Sequence, residues 1–177
     1  MIWLTAYSSL RPETEAALHE HVPLGDVVRL VRVEDDYHYG RLLCEQWATG
    51  LDVAVIEQDV VITADVAAAF HDCPSEYCAF PYEWQTTVGV ALGCTRFRGS
   101  FTARYPDAMR EACETPSAWT GQPGYWRQLD VFLQRRVLRD KHGEQPCGHL
   151  PPVVHLNPKQ ALRADADPTP LLSVEGF

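Results

Sequence analysis

Leu51-Asp52-Val53-Ala54-Val55-Ile56-Glu57-Gln58-Asp59 is an apolar run that ends at two carboxylates separated by one residue. Residues 53–56 are small or β-branched with no polar interruption, the composition of a parallel strand covered on both faces. In open α/β sheets ligands collect outside the carboxyl ends of strands, so Glu57 and Asp59 are candidates to hold a divalent cation through hard oxygen ligands. A cation there attracts a phosphate-bearing ligand. The acids also have a purely structural reading, because acids after buried strands cap helices, and Thr63 and Asp65 precede the apolar run 66–70.

Upstream, residues 1–7 read as a first strand. Ser8 and Ser9 offer hydroxyl caps, Pro12 suits a first helical turn, and Glu13 and Glu15 favour the helix dipole, so a short helix is expected to end near Pro23. Residues 27–33 are rich in β-branched side chains and read as a second strand, closed by Glu34-Asp35-Asp36-Tyr37-His38. Residues 39–47 carry Leu42, Leu43 and Trp47 at helical spacing, with Gly50 as the stop. Strand, helix, strand, helix, strand predicts an α/β fold with a mostly parallel, Rossmann-like sheet flanked by helices. It has no Gly-x-Gly-x-x-Gly turn and no Walker-type loop, so phosphate handling falls to a metal.

Downstream, residues 76–82 and 87–97 read as further strands, the second carrying Gly89 and Gly93 with Gly99 beyond, positions that permit close ligand approach or a bend. Residues 124–138 predict a helix, because Trp126, Leu129, Phe132 or Leu133, and Val137 recur three and four apart, with Asp130 beside that stripe. The tail 147–158 is proline-bounded and extended, and includes His155.

At 177 residues and 46% hydrophobic content, one domain spanning 1–177 is expected. No apolar segment approaches the length of a membrane span, and the first residues lack the pattern of a signal peptide, which points to a soluble cytoplasmic protein. The six cysteines include no Cys-x-x-Cys pair, so they read as reduced thiols and argue against a cysteine-built zinc site. A net charge of −9 argues against nucleic-acid coating by phosphate neutralisation. The charge is uneven: residues 1–95 hold 4 Lys or Arg against 15 Asp or Glu, residues 96–177 hold 11 against 9. That division suits a metal-holding half facing an anion-receiving half, or an unevenly charged wet surface.

The cluster around His38 and Tyr39, Gly50, the apolar strand and Glu57-Gln58-Asp59 together resemble nucleotide-sugar glycosyltransferases of the GT-A fold, whose Asp-x-Asp motif follows a buried strand. This chain has Glu in place of the first Asp. The resemblance implies a metal-dependent, hexosyltransferase-like enzyme, inverting in stereochemistry, in which Mn²⁺ or Mg²⁺ bridges the donor diphosphate. It implies Asp59 and His155 as metal ligands and Asp130 as catalytic base. It implies donor contacts from Thr5, Ala6, Tyr7, Asp35, Asp36, Arg41, Glu57 and Gln58. Trp84, Arg96 and Arg98 are candidates for the acceptor side. The acceptor itself, whether a glycan, a protein or a modified nucleic-acid base, is not implied. The resemblance extends to compact bacteriophage and actinobacterial glycosyltransferase-like proteins, which implies a host cytoplasm for a phage-borne copy.

Each assignment has a competitor in the residues themselves. Asp130 also suits a solvated helix edge, His155 a histidine fastening the tail, Arg41 an ordinary helix surface. The same acids would serve a nucleotidyltransferase or metal-dependent phosphohydrolase, with cleavage at phosphorus, and a non-catalytic nucleotide-binding module would keep the fold without turnover.

Overall fold

The structure is a computed structural model that describes residues 1–84, 87–89, 91–151 and 153–156, with 82–84 and 87–89 as backbone only. Strand β1 (Ile2–Tyr7), helix α1 (Pro12–His21), β2 (Val27–Arg32), α2 (His38–Ala48) and β3 (Val53–Ile56) alternate as their sequence patterns predict. Then come β4 (Val60–Val61), α3 (Ala64–Asp72), β5 (Tyr77–Ala79), and a hairpin of β6 (Tyr82–Trp84) and β7 (Thr87–Gly89). After β8 (Cys94–Phe97) follow α4 (Gly99–Arg104), α5 (Ala108–Glu114), α6 (Trp126–Asp130) and a π-helical segment (Val131–Lys141). β9 (Cys147–Gly148) and β10 (Val154–His155) complete the described elements.

Six strands form one sheet in the order β2-β1-β3-β8-β5-β9. β1 pairs in parallel with β2 and β3, and β5 with β9; β8 runs antiparallel to both its neighbours. The sheet is therefore mostly parallel with one reversed strand, and the whole is a mixed α/β, Rossmann-like arrangement.

The apolar run fills this sheet as its composition requires. Val53 to Ile56 are each at most 2% exposed, because successive side chains point to opposite faces and both faces are covered. Val53 and Val55 join a core with Leu42, Leu43 and Trp47 of α2, Phe101 of α4, Met109 of α5, and Leu133 and Leu138 of the π-helical segment. Ala54 and Ile56 join a second core with Leu18 of α1 and Val66 and Phe70 of α3. Each buried Val or Ile contributes roughly 1.5–3 kcal/mol relative to exposure.

Four expectations are corrected. The two long strands at 76–82 and 87–97 are broken: Pro81 has no N–H for a ladder and its carbonyl instead accepts from Val153 N–H (2.9 Å), while the Gly93 carbonyl accepts from Glu57 N–H (2.8 Å) at a turn before β8. Val90, within the second of those runs, lies outside the described residues. The helix expected at 124–138 starts at Trp126, runs on to Lys141 and widens to π winding directly after Asp130, the kind of irregularity that recurs at functional sites. Arg11, and neither serine, is the N-cap of α1; the backbone N–H groups of Ser8 and Ser9 are held by Gln58.

Gly99, by contrast, sits where a Cβ would overlap the Gly50 carbonyl, and its N–H donates to Asp52 Oδ1 (2.7 Å). Its small size serves a close approach of chain to chain, not the approach of a ligand. Among the described residues no helix is long and apolar enough to cross a membrane. Pro152 and the tail from Asn157 onward lie outside the described residues.

Candidate functional site

The acids leave the sheet where the pattern places them, at the carboxyl end of β3. They do not cap α3: the Thr63 hydroxyl accepts from Val66 N–H (3.4 Å) and performs that role. Asp59 is followed at once by β4, which pairs antiparallel with β10 in the register Val60 to His155 and Val61 to Val154. Leu156 N–H donates to the Asp59 carbonyl (2.6 Å), fastening the ribbon further. Two residues of local pairing thus carry a histidine nearly a hundred positions away onto the acids.

His155 Nε2 lies 3.4 Å from Asp59 Oδ1 and 3.9 Å from Glu57 Oε2. One donor atom from each of Glu57, Asp59 and His155 lies within 4.8 Å of the others. The His155 side chain is 3% exposed, Asp59 15% and Glu57 33%, so the cluster opens toward solvent on the Glu57 side. Burial of the ring works against its charge, but the Asp59 hydrogen bond and the charges of Asp59 and Glu57 outweigh it and raise the His155 pKa above the ordinary imidazole value. Two carboxylates and an imidazole converging on one point suit a divalent cation, with Mn²⁺ accepting the mixed oxygen and nitrogen set more readily than Mg²⁺. Gly93 makes room for this: a Cβ there would overlap the Glu57 side chain.

Asp130 is half-buried at the junction between α6 and the π-helical segment. Desolvation pushes its carboxyl up to about 6, against the backbone hydrogen bonds of Val131 and of Asp130 itself. Tyr39, on the first turn of α2, lies within electrostatic reach of this acid and of Glu57. Its hydroxyl is buried without a hydrogen-bond partner among the described residues. Burial first, then the charges of Glu57 and Asp130, push its pKa well above the ordinary phenol value, so both acids act on one ring. Tyr39 belongs to the site on this geometry. In the sequence it counts in the cluster that carries the resemblance, but with no role in the site.

The residues expected to contact a donor divide. Ala6 and Tyr7 are half-buried at the end of β1, beside the end of β2 where a cavity of about 360 Å³ is lined by Arg32, Val33 and Glu34. Thr5 is wholly buried, so its side chain cannot meet a ligand without rearrangement; strand alternation turns it into the sheet layer. Asp35 accepts from Tyr37 and His38 N–H at the entry to α2, and its second oxygen accepts from Arg41 Nη2 (3.0 Å). The Arg41 partner, followed by those backbone donors, holds the Asp35 pKa below the usual carboxylate range. Asp36 Oδ1 accepts from Trp126 Nε1 (3.2 Å), tying the loop to α6. Gln58 Oε1 accepts from the Ser8 and Ser9 N–H groups at 2.8 and 3.0 Å. Asp35, Asp36, Arg41 and Gln58 therefore brace the two loops around the sheet edge.

Arg96 and Arg98 do not line an acceptor surface. β8 is antiparallel, so residues following Cys94 run back toward the amino ends of the parallel strands, away from Glu57. Arg96 is 0% exposed and Arg98 grips the Cys73 carbonyl (2.8 Å). Arg135 and Arg136 are exposed on the π-helical segment. The side chain of Trp84 lies outside the description.

No protein-family model matches the chain, and no curated protein matches it. Among solved structures, A197 from STIV is similar, with a TM-score of 0.40, 12% identity, and coverage of 71% of this chain and 74% of that one.

Proposed function

We propose that the protein is a metal-dependent glycosyltransferase that moves a sugar from a nucleotide-sugar donor to an acceptor hydroxyl with inversion. The observation that carries this reading is the convergence of Glu57, Asp59 and His155 at the carboxyl edge of the parallel strands, with Glu57 and Asp130 both within electrostatic reach of the buried Tyr39. Asp59 and His155 would hold Mn²⁺, and Glu57 completes the donor set on the open side. The metal, when bound, supplies Lewis-acid stabilisation of the leaving diphosphate.

The remaining work belongs to the chain. Asp130 takes the proton of the acceptor hydroxyl as its oxygen forms a bond to the anomeric carbon, and the bond from that carbon to the diphosphate breaks, releasing a nucleoside diphosphate. A carboxyl pushed up to about 6 is more basic than an ordinary aspartate and still mostly ionised at neutral pH, which fits a general base. The Tyr39 hydroxyl is available to hydrogen-bond either acid or the sugar.

The test is turnover of a panel of nucleotide sugars with and without Mn²⁺, read by mass spectrometry. Release of a nucleoside diphosphate that needs Mn²⁺ and disappears in Asp59→Ala is the expected result. Full turnover in Asp59→Ala would overturn the metal assignment, and release of a sugar phosphate in place of the diphosphate would replace glycosyl transfer by hydrolysis at phosphorus.

A further inference from the structure

At the far edge of the sheet, away from the acids, a second group of ligand-type side chains meets: Cys73, Cys147 and His149, each with a donor atom within 4.8 Å of the other two. No Cys-x-x-Cys spacing announces it, because its members come from two distant parts of the fold. Cys73 ends α3, with its carbonyl held by Arg96 Nη2 (3.0 Å) and Arg98 Nη2 (2.8 Å). Cys147 lies in β9, opposite Cys78 of β5. His149 follows two residues on, so an extended chain turns both side chains to one face. Its N–H continues the ladder to the Ala79 carbonyl (3.0 Å), and its ring stacks on Phe80 at 4.9 Å.

Two groups here lack what burial demands. His149 Nε2 is buried with no hydrogen-bond partner among the described residues. Arg96 is a wholly buried guanidinium whose Nε and Nη1 are likewise unpartnered, and among the described residues no carboxylate pairs with it. A buried cation without a counter-charge is costly. Thiolates at Cys73 and Cys147 would supply that charge in the metal-free protein; a dication bound between them cancels it, so of the two orphaned groups the His149 nitrogen is the one that points to a metal.

We propose that Cys73, Cys147 and His149 form a binding site for a thiophilic divalent cation of the zinc type, with a fourth position open to water beside the exposed Cys147. Two thiolates neutralise such an ion, so Arg96 meets a net-neutral centre and is not repelled by it. Tetrahedral zinc with sulfur ligands at about 2.3 Å puts its sulfur donors about 3.8 Å apart, so the cluster needs to contract by about 1 Å at most. Burial, with Arg96 adding to it, lowers the His149 pKa and keeps the ring in the neutral, ligating form. Burial and the Cys73 hydrogen bond raise the Cys147 thiol, while Arg96 opposes them, so metal uptake displaces thiol protons. The bound ion would clamp β9, a two-residue edge strand, to the end of α3.

The test is a titration of the full chain, kept reduced, with Co²⁺ followed by Zn²⁺. Thiolate-to-cobalt charge-transfer absorption that saturates stoichiometrically and is bleached by Zn²⁺ is the expected result. The absorption is lost in Cys147→Ser and in His149→Ala and kept in Asp59→Ala, which separates this site from the acidic one. Zn²⁺ then raises the melting temperature of the native chain but not that of Cys147→Ser. Cys147 is exposed, so its replacement leaves the fold in place, and circular dichroism checks this. Absence of the charge-transfer band in folded, reduced protein, or its survival in Cys147→Ser, would overturn the proposal. A missing band with a Cys73–Cys147 disulfide in peptide maps overturns it equally and reassigns the pair to redox chemistry.

Discussion

At the scale of single residues, Asp130 carries the sharpest consequence. Its carboxyl is pushed up to about 6 by desolvation, and a general base acts only when deprotonated. Turnover at saturating donor should therefore rise as pH increases through about 6 and level off above it. Asp130→Asn keeps the shape and removes the base; turnover is expected to fall about 10²- to 10⁴-fold with donor affinity unchanged, measured by steady-state kinetics beside calorimetric binding. Near-normal turnover in that variant would remove Asp130 from the chemistry. Gly93 makes a different prediction. The nearest atoms a methyl group there would meet all belong to the Glu57 side chain, so Gly93→Ala should fold normally while Mn²⁺ affinity drops about tenfold or more. Unchanged affinity would mean that Glu57 is not a ligand. At this scale the positions of Asp59 and Asp130 were legible, because acids after a buried strand and beside an apolar helical stripe stand out against their neighbours. The burial of the Thr5 side chain was not legible, since the layer covering a strand is not written in the strand itself.

At the scale of elements, the short ribbon of β4 and β10 is what brings His155 to the acids of the proposed metal site. Leu156 N–H on the Asp59 carbonyl is one of the bonds that hold His155 in register. Leu156→Pro removes that donor and is expected to cost about 1 kcal/mol of stability, within the usual range for one hydrogen bond. Mn²⁺ affinity should fall far more than stability, because the imidazole leaves the two acids. Urea denaturation and Mn²⁺ titration of the same variant separate the two effects, and equal affinity in variant and native chain would show that the ribbon does not position the ligand. A second dependence on pH belongs here. The acids raise the His155 pKa, and a cation needs the neutral ring, so Mn²⁺ affinity should strengthen as pH rises through that raised value. Two-residue strands have no periodicity to read, which is why residues 60–61 and 154–155 gave no sign of pairing, whereas the six-residue strands β1 and β2 did.

At the scale of the whole molecule, both cores are built on the same strands. Trp3 faces one and Leu4 the other; Val53 and Val55 alternate with Ala54 and Ile56. A fold whose two cores share a sheet should unfold in one step. Phe97 is wholly buried, stacked on Tyr77 at 4.8 Å and edge-on to Trp47 at 4.9 Å. Phe97→Ala should cost about 3–5 kcal/mol, shifting far-ultraviolet circular dichroism and tryptophan fluorescence together; separated transitions would show that the faces unfold independently. The sequence by itself determined the alternation of strand and helix, the double-sided burial of residues 53–56 and the emergence of two acids at their carboxyl end, because those features follow from local hydrophobic period and chain direction. Only the tertiary structure decided that β8 runs against its neighbours, that His155 and not a nearer residue joins the acids, that Arg96 is buried, and that Cys73, Cys147 and His149 meet at the opposite edge. Such encounters join residues far apart in the chain, and they depend on strand order, register and the packing of layers, which leave no periodic trace in any one segment.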